Sequence, residues 1–319
     1  MQYGQLGRSG ITVSRLCVGC LSFGQPFPDS HMWTLNPEET ENIVRRALEL
    51  GITFFDTANT YSHGTSEEYL GRALKRNVPR DKVVIATKVY FNEGHLSKAA
   101  IQREIDGSLK RLGTDYVDLY IIHRFDETTP IEETMEALDR LVKCGKVRAL
   151  GASAMFGYRF YSMQVAAERN GWTQFCAMQN HYNLLYREDE REIIPLCKQE
   201  GVALTPFSPL AAGRLCRPDW KADTPRSRAD KTAAGKYDRT QATDYEIVQR
   251  VHEIAEAHGA TMTQIALAWQ FTKGMTAPVI GATKAKYLDD AAGALALTLS
   301  PEEITYLEEP YQPHRIAGF

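Results

Sequence analysis

A short apolar run recurs eight times along this chain, and a segment with helical periodicity follows most of these runs. The runs begin near Arg15, Ile52, Lys82, Tyr116, Val147, Phe175, Val202 and Ala277. Most starts lie roughly 30 residues apart, which is the length of one strand–helix unit. Apolar strands that alternate with amphipathic helices predict a parallel sheet covered by helices. Eight such units favour a closed (β/α)8 barrel, the TIM-barrel fold of the α/β class, over an open doubly wound sheet.

Two segments lie outside this repeat. Residues 1–16 have the pattern of a β-hairpin with its turn at Arg8–Ser9–Gly10, and we expect this hairpin to close the bottom of the barrel. A long polar loop at 211–243, rich in Lys, Arg, Asp and Gly, follows the seventh strand and precedes two helices. A long loop on the catalytic side of a barrel is usually a lid or a binding segment, and a solvated insertion is the alternative.

Three helix starts carry capping signals. Asn36–Pro37 combines a cap residue with proline at the first helical position. Thr65 with Glu68, and Ser300 with Glu303, have the spacing of a capping box. The last signal predicts a C-terminal helix, after which we expect the tail at 313–319 to lie near the barrel mouth.

The composition sets outer bounds on function. At 319 residues the chain is long enough for one large core, so we predict a single domain spanning 1–319. The net charge of −3 offers no basic excess for nucleic acid or an anionic membrane. No apolar stretch approaches the roughly 20 residues that span a bilayer, and the start MQYGQLGRSG lacks the apolar core of a signal peptide. We therefore expect a cytoplasmic protein without nucleic-acid or membrane partners.

The six cysteines are scattered and lie mostly within apolar runs. Cys17 and Cys20 form CVGC, a spacing that also occurs in redox pairs and in half of a zinc site. Residues three apart in an extended strand face opposite sides, however, and no second CxxC or HxxxH supplies further ligands. Buried apolar thiols are the favoured interpretation, and no metal is predicted.

Four polar residues stand at or just past the ends of three consecutive strand-like runs. They are Asp56, Tyr61, Lys88 and His123. Each alone has a structural explanation, since Asp56 could cap a helix, Tyr61 could pack and His123 could be a satisfied structural histidine. Lys88 is harder to explain in this way, because a lysine that closes a buried strand needs a partner for its charge, and Asp56 is the obvious one. Together on one barrel face, the four residues predict a catalytic site.

Carbonyl reduction is the chemistry that needs this set. Hydride delivery to a C=O group leaves an alkoxide that must be protonated as charge develops. A tyrosine with an ordinary pKa of about 10 is a poor acid at neutral pH, and a nearby ammonium lowers that pKa. Lys88 would supply this charge, Asp56 would hold Lys88 in place, and His123 would donate a hydrogen bond to the carbonyl oxygen.

A set of specific motifs occurs in order along the chain: FFDTANTYSHGTSEEYLGRAL, ATKV, DYVDLYIIH, GASA, QNHYNLL and PFSPLAAGRL. By these motifs the chain resembles the aldo-keto reductases over essentially all of its length, and QNHYNLLYRE makes it look closest to a bacterial branch. The resemblance implies a TIM barrel, a catalytic tetrad of the four residues above with Tyr61 as general acid, and reversible NADPH-dependent reduction of aldehydes or ketones to alcohols. No GxGxxG follows a strand, in agreement with a cofactor site that is not a Rossmann unit.

The resemblance also assigns residues to the cofactor. Ser153 and Gln179 would contact the nicotinamide carboxamide, and Phe207 would stack on its ring. The loop on the pyrophosphate side and the turn after the last strand supply the other expected contacts, which are Ser208, Leu210, Gly213, Arg214, Gly281, Lys284 and Asp290.

Three positions depart from the family pattern. Ala154 stands where an asparagine is common, and Tyr287 and Ala291 replace an arginine and an asparagine near the expected 2′-phosphate. Lys284 remains to meet that phosphate, as a point charge and not as a bidentate fork. We expect NADPH as the cofactor, with NADH as the alternative.

The substrate is where the sequence is least informative. Phe23, Trp33, Tyr90 and Phe125 lie in loops expected to line the pocket, and aromatic walls suit small aldehydes or ketones with an apolar part. The same residues are equally consistent with core and rim packing. Arg124 is placed to meet an anionic group, although nothing in the sequence requires one.

Two other functional classes stay open. Some proteins of this superfamily act as nucleotide-binding regulatory or sensor proteins with little turnover, and the intact tetrad argues against that role here. A barrel metallohydrolase needs clustered His and carboxylate ligands, whereas only His123 and His181 are offered near strand ends. We expect a small-molecule carbonyl substrate and a monomer or weak homo-oligomer.

Overall fold

The strands of the predicted barrel are present in the computed structural model, which describes residues 1–28, 31–220 and 223–317. In chain order the strands are β1 (Tyr3–Gln5), β2 (Thr12–Ser14), β3 (Cys17–Gly19), β4 (Phe54–Asp56), β5 (Val84–Val89), β6 (Val117–Ile122), β7 (Val147–Ser153), β8 (Phe175–Gln179), β9 (Ala203–Leu204) and β10 (Val279–Gly281). Strands β1 and β2 form the antiparallel hairpin, and each of the eight apolar runs contains one strand of the parallel sheet.

The eight parallel strands close into a barrel. Their order is β10-β3-β4-β5-β6-β7-β8-β9, so neighbours along the chain are also neighbours in space. Strand β9 meets β10 through a parallel bridge between Phe207 and Val279, and the Val279 amide donates to the Pro206 carbonyl at 2.9 Å. All eight carboxyl ends therefore lie on one face, where the active sites of such barrels are built. The predicted (β/α)8 barrel is confirmed.

Helices cover the outside of this sheet. They are α1 (Pro37–Glu49), α2 (Thr65–Asn77), α3 (Lys98–Leu112), α4 (Ile131–Lys143), α5 (Gly157–Asn170), α6 (Ile193–Glu200), α7 (Pro225–Ala229), α8 (Lys231–Tyr237), α9 (Gln241–His258), α10 (Met262–Thr272), α11 (Ala285–Gly293) and α12 (Pro301–Glu308). Within the described ranges, none of the helices has the length and apolar composition needed to cross a membrane.

Two of the three capping predictions are confirmed. Asn36 and Ser300 each accept hydrogen bonds from first-turn amides and form complete capping boxes at α1 and α12. The prediction for Thr65 is wrong, because Gly64 is the cap residue of α2 and Thr65 is already inside the helix. The Thr65 hydroxyl instead donates to the Ser62 carbonyl at 2.7 Å and so fastens the turn that precedes the helix.

Two apolar clusters hold the barrel together. In the inner cluster, Leu6, Ile11 and Val13 of the hairpin region pack with barrel residues that include Phe54 and Leu119. This contact closes the bottom of the barrel, as predicted. The outer cluster is larger and joins the strands to the surrounding helices. Burial of each large apolar side chain contributes about 1.5–3 kcal/mol, so these clusters supply most of the stabilisation.

Cys17 and Cys20 are separated between these two clusters. Cys17 packs in the inner cluster and Cys20 in the outer one, as expected for residues that face opposite sides of the sheet. Burial raises the pKa of both thiols well above its ordinary value. In the described part of the chain, no group of three His, Cys, Asp or Glu side chains is arranged to hold a metal ion.

The segment at 211–243 is largely helical and not an open loop as predicted. It contains a 3-10 turn at Ala211–Cys216, then α7, α8 and the start of α9. Thr224 and Asp230 accept hydrogen bonds from first-turn amides of α7 and α8, so each short helix has its own side-chain cap. These caps lie in a polar stretch without an apolar period, and for that reason the sequence predicts a loop.

The C-terminal tail packs beside the segment that follows β8. The Ala317 amide donates to the Tyr186 hydroxyl at 3.0 Å, and the Tyr186 ring stacks on His181 just past β8. This places the tail at the carboxyl-end rim of the barrel, in agreement with the expected position near the mouth. Residues 318–319 lie outside the described residues.

Candidate active site

Lys88 contacts two of the other three predicted catalytic residues, Asp56 and Tyr61. Its ammonium donates to a carboxylate oxygen of Asp56 and, at 3.2 Å, to the Tyr61 hydroxyl. Asp56 ends β4, Tyr61 begins the 3-10 turn that follows, and Lys88 lies in the neighbouring strand β5. His123 comes directly after β6, and its ring meets Tyr61 edge-on with ring centroids 5.8 Å apart. The structure therefore brings all four residues together at the carboxyl-end face.

The Lys88 ammonium is charged although it is fully buried. The side chain has no exposed surface, and its third acceptor is the Thr57 carbonyl at 2.9 Å. Burial lowers the pKa of Lys88, but Asp56 and then Tyr61 outweigh this effect, so the pKa lies above its ordinary value. Asp56 accepts a second hydrogen bond from the Gln179 amide at 2.9 Å, which fixes the carboxylate from the far side of the barrel.

The surroundings of Tyr61 favour the protonated phenol at neutral pH. Burial raises the pKa of Tyr61, while Lys88 lowers it and Asp56 raises it further, and the net pKa lies above its ordinary value. Lys88 therefore acts in the predicted direction but does not outweigh the loss of water around the phenol. A protonated phenol beside an ammonium is a group ready to donate a proton.

His123 is a neutral imidazole. Burial lowers its pKa well below the ordinary value, and the charges of Lys88 and Arg124 lower it further. Among the described residues its Nδ1 has no hydrogen-bond partner, while its backbone amide is fixed to the Val89 carbonyl at 2.9 Å. A neutral ring offers one N–H, so His123 can donate one hydrogen bond into the site.

A turn of left-handed residues presents Tyr61 to the site. The backbone φ angles of Ser62, His63 and Gly64 are 46°, 53° and 91°. Left-handed geometry costs about 1–3 kcal/mol at each non-glycine position, so surrounding contacts must hold the turn. Arg111 is one of them, because a Cβ added at Gly64 would lie 2.8 Å from the Arg111 side chain. This support from α3 gives no signal in the sequence.

Comparison with known proteins identifies the family of this chain. The family model described as Aldo/keto reductase family matches residues 15–312. The chain belongs to the aldo/keto reductase family. It is an oxidoreductase that acts on carbonyl and alcohol groups, and the carbonyl reduction expected from the tetrad is confirmed. Proteins of this family use nicotinamide cofactors, typically NADPH.

Several fungal proteins are similar to this reductase over nearly its whole length. Versiconal hemiacetal acetate reductase of Aspergillus parasiticus is 42% identical over 99% of this chain and 98% of its own. An aldo-keto reductase of Alternaria alternata is 43% identical over 97% of this chain and 91% of its own. A putative aryl-alcohol dehydrogenase of Schizosaccharomyces pombe is 40% identical over 99% of this chain and 97% of its own. These relatives are fungal, so the resemblance to a bacterial branch is not supported.

The residues expected at the nicotinamide carboxamide lie at the ends of β7 and β8 in this reductase. Ser153 and Gln179 are both buried, and the Ser153 hydroxyl donates to the Gln179 carbonyl at 2.6 Å. Ala154, which departs from the family pattern, has a left-handed φ of 48°, and its amide donates to the Asn180 side chain at 2.7 Å. Asn180 thus fixes the strand end at which the family asparagine is missing.

The segment after β9 contains the aromatic ring of Phe207 and a turn with positive φ angles. Phe207 stacks on His181 with ring centroids 5.3 Å apart, and the Lys236 ammonium of α8 lies 4.7 Å from the Phe207 centroid. Ser208 and Gly213 have φ angles of 54° and 92°, and Leu210 lies between them on the same loop. Ala211 and Ala212 also have positive φ angles, and a turn of this kind can present its backbone N–H groups to an anion.

Arg214 is not a free cation in this structure. Its guanidinium pairs with Asp238 at 2.5 Å and lies 4.9 Å from the Tyr237 ring centroid. The contact ties the turn after β9 to α8. A phosphate contact by Arg214 would therefore share a charge that Asp238 already balances.

The residues expected near the adenosine end lie at β10 and α11. Gly281 ends β10 and Lys284 precedes α11, and both are exposed. Asp290 lies within α11, where its carboxylate accepts a hydrogen bond from the Thr261 hydroxyl at 2.6 Å. These residues fit a nicotinamide dinucleotide that lies across the mouth. They offer buried polar groups at the ends of β7 and β8, the Phe207 ring and a left-handed turn after β9, and the exposed Lys284.

The four aromatic residues predicted for the substrate pocket have different surroundings. Phe23 has no exposed surface and belongs to the outer core cluster, so the structure contradicts its assignment to the pocket. Trp33 lies under the Arg226 guanidinium, and Phe125 lies under that of Arg159.

Tyr90 and Phe91 form an aromatic wall beside His123. Tyr90 is half-buried and stacks on His95 with ring centroids 4.8 Å apart. Phe91 is half-exposed, and its ring meets His123 edge-on with centroids 5.0 Å apart. Phe91 therefore contacts a residue of the predicted tetrad directly.

Proposed function

We propose that this reductase uses NADPH to reduce aldehydes or ketones to alcohols, with Tyr61 as the general acid. The observation that carries the proposal is the position of the Tyr61 hydroxyl, 3.2 Å from the Lys88 ammonium, with the Tyr61 ring edge-on to the ring of His123. An acid that still holds its proton, beside a charge that favours its conjugate base, is what protonation of a developing alkoxide requires.

Each residue of the tetrad has one task in this proposal. Reduced nicotinamide, when bound, supplies the hydride to the carbonyl carbon. Tyr61 donates its proton to the carbonyl oxygen as negative charge develops there, and the Lys88 ammonium stabilises the phenolate that results. Asp56 keeps Lys88 charged and in place through their ion pair. His123 donates a hydrogen bond to the same oxygen and orients the carbonyl group.

The cofactor contacts follow from the same proposal. Ser153 and Gln179 hold the carboxamide, and Phe207 stacks on the nicotinamide ring. The turn after β9 binds the pyrophosphate. The exposed Lys284 binds the 2′-phosphate, which favours NADPH over NADH.

An aromatic body on the substrate is favoured by the half-exposed Phe91 ring beside His123. The similar protein of Schizosaccharomyces pombe is named a putative aryl-alcohol dehydrogenase, which agrees with this choice. A cytoplasmic location and a monomeric or weakly associated state stay predictions.

A steady-state assay tests the proposal. NADPH oxidation is followed with benzaldehyde, substituted benzaldehydes and short aliphatic aldehydes, and the same panel is repeated with NADH. We expect turnover with NADPH, fastest on the aromatic aldehydes. Absence of turnover across the panel despite tight NADPH binding would contradict the proposal and favour a regulatory nucleotide-binding protein.

A further inference from the structure

Two cations from different parts of the chain face the mouth of the barrel. Arg124 directly follows His123, and one of its nitrogens donates to the His123 carbonyl at 2.7 Å. Its guanidinium lies 5.5 Å from the centroid of the Phe91 ring. Lys236 belongs to α8, in the segment after β9, and its ammonium lies against Phe207. Both side chains are half-buried.

Neither cation forms an ion pair with a residue in the described ranges. Other arginines near the mouth are paired, since Arg159 contacts Glu127, Arg214 contacts Asp238 and Arg226 contacts Asp230 at 3.1 Å. The negative charge of Asp230 raises the pKa of Lys236, but Asp230 is already in an ion pair with Arg226. Arg124 and Lys236 are therefore two cations of the mouth that no carboxylate of the described residues pairs with directly.

The two cations are close enough to repel each other. The pKa of Lys236 is lowered to about 8, mainly by burial and then by the charge of Arg124, against the opposing effect of Asp230. Burial also lowers the pKa of Arg124. Two half-buried like charges without counterions are unfavourable, and an anion placed between them would relieve both the repulsion and the desolvation.

Arg124 lies beside His123 and Phe91, and Lys236 lies beside Phe207. The charge of Arg124 acts on Tyr61, and the Lys236 ammonium lies 4.7 Å from the centroid of the Phe207 ring. We propose that Arg124 and Lys236 bind a carboxylate on the substrate, so that this reductase prefers aromatic aldehydes or ketones that carry an acidic group. The inference rests on the proposed function and specifies the substrate class of the same site. Arg124 can bind a carboxylate through two parallel N–H groups, and Lys236 adds a point charge.

A pair of matched substrates separates charge from shape. Para-carboxybenzaldehyde and its methyl ester share the ring and the aldehyde, and only the acid is anionic. We expect the wild-type kcat/KM for the acid to exceed that for the ester by about tenfold, equivalent to ~1.4 kcal/mol. In Arg124→Met, which keeps an apolar stem over Phe91, the acid-to-ester ratio should fall about fivefold or more through KM for the acid. Lys236→Met is the second variant, with a fall in the same direction.

The controls distinguish the possible failures. Arg169→Met removes an exposed arginine near the end of α5 and should leave the acid-to-ester ratio unchanged. A wild-type ratio near or below one, or an unchanged ratio in both mouth variants, would overturn the inference and leave the proposed function intact. If the variants instead raise KM for NADPH equally with both substrates, the cations hold a cofactor phosphate and the inference is wrong. Failure to reduce either substrate would count against the proposed function itself.

Discussion

Replacing Asp56 by asparagine removes the carboxylate that balances the buried Lys88 ammonium. Lys88 has no exposed surface, and the Thr57 carbonyl and the Tyr61 hydroxyl are its remaining acceptors. Asparagine keeps an acceptor oxygen but not the charge. Removal of one partner of a buried ion pair costs about 3–5 kcal/mol, so Asp56→Asn should lower the free energy of unfolding by that amount.

The double variant makes this prediction specific to the pair. Lys88→Met leaves a buried carboxylate with only the Gln179 amide, and a loss of similar size is expected. Asp56→Asn/Lys88→Met removes both charges, so its loss should be smaller than the sum of the single losses by at least about 2 kcal/mol. Urea unfolding at neutral pH measures all three values. The exposed pair of Lys146 and Asp106 is the matched control, and its removal should cost at most about 1 kcal/mol.

The pH dependence of the Asp56→Asn loss follows from the raised pKa of Lys88. A lysine with a raised folded-state pKa contributes its full stabilisation below the unfolded pKa of about 10.4 and loses it only as pH rises through the folded pKa. The loss should therefore be the same from about pH 6 to 9. If the losses of the two single variants sum to the loss of the double variant within about 0.5 kcal/mol, the ion-pair reasoning is refuted.

Two further predictions concern His123 and Lys284. Because the pKa of His123 lies well below its ordinary value, the unfolded state binds one more proton below about pH 6.5, and the free energy of unfolding should fall with decreasing pH. His123→Gln should reduce this slope by up to one proton, or about 1.4 kcal/mol per pH unit, and an unchanged slope in urea titrations would contradict a neutral His123. Lys284→Ala should reduce the preference for NADPH over NADH by about tenfold, the worth of one phosphate contact. The exposed Lys75→Ala is its control, and an unchanged preference would place the 2′-phosphate elsewhere.

The barrel and the tetrad could be predicted because both follow from local pattern. The spacing of apolar runs determines the number of strand–helix units, and parallel strands bring their carboxyl ends to one face whatever the loops do. Lys88 was the most informative residue, since a charge at the end of a buried strand requires a partner nearby. Asp56 is that partner in the structure.

Features that depend on contacts between distant segments could not be predicted. The net pKa of Tyr61 depends on how much water the fold removes, and the sequence gives only the sign of the effect of Lys88. Arg111 of α3 supports the Tyr61 turn because it packs against Gly64, the cap residue of α2. Lys236 lies in a polar segment without periodicity, so nothing in the sequence indicates that it reaches Phe207.

The aromatic residues show the same limit at the scale of a single side chain. Phe23 and Phe91 both lie near strand ends, and both are plausible pocket residues by composition. The structure buries Phe23 completely in the outer cluster and leaves Phe91 half-exposed beside His123. Which side of a loop faces the core is decided by the packing of neighbouring helices, and that information is spread over the whole chain.

The role of Tyr61 as the general acid is tested most directly by Tyr61→Phe, which removes the hydroxyl and keeps the ring. We expect kcat for an aromatic aldehyde to fall by about 10²–10⁴, the usual contribution of a general acid. The Kd for NADPH, measured by fluorescence titration of the same preparation, should change by less than about twofold, because the hydroxyl serves the proton transfer and not the cofactor. A Tyr61→Phe variant that binds NADPH normally and retains most of its kcat would contradict the account.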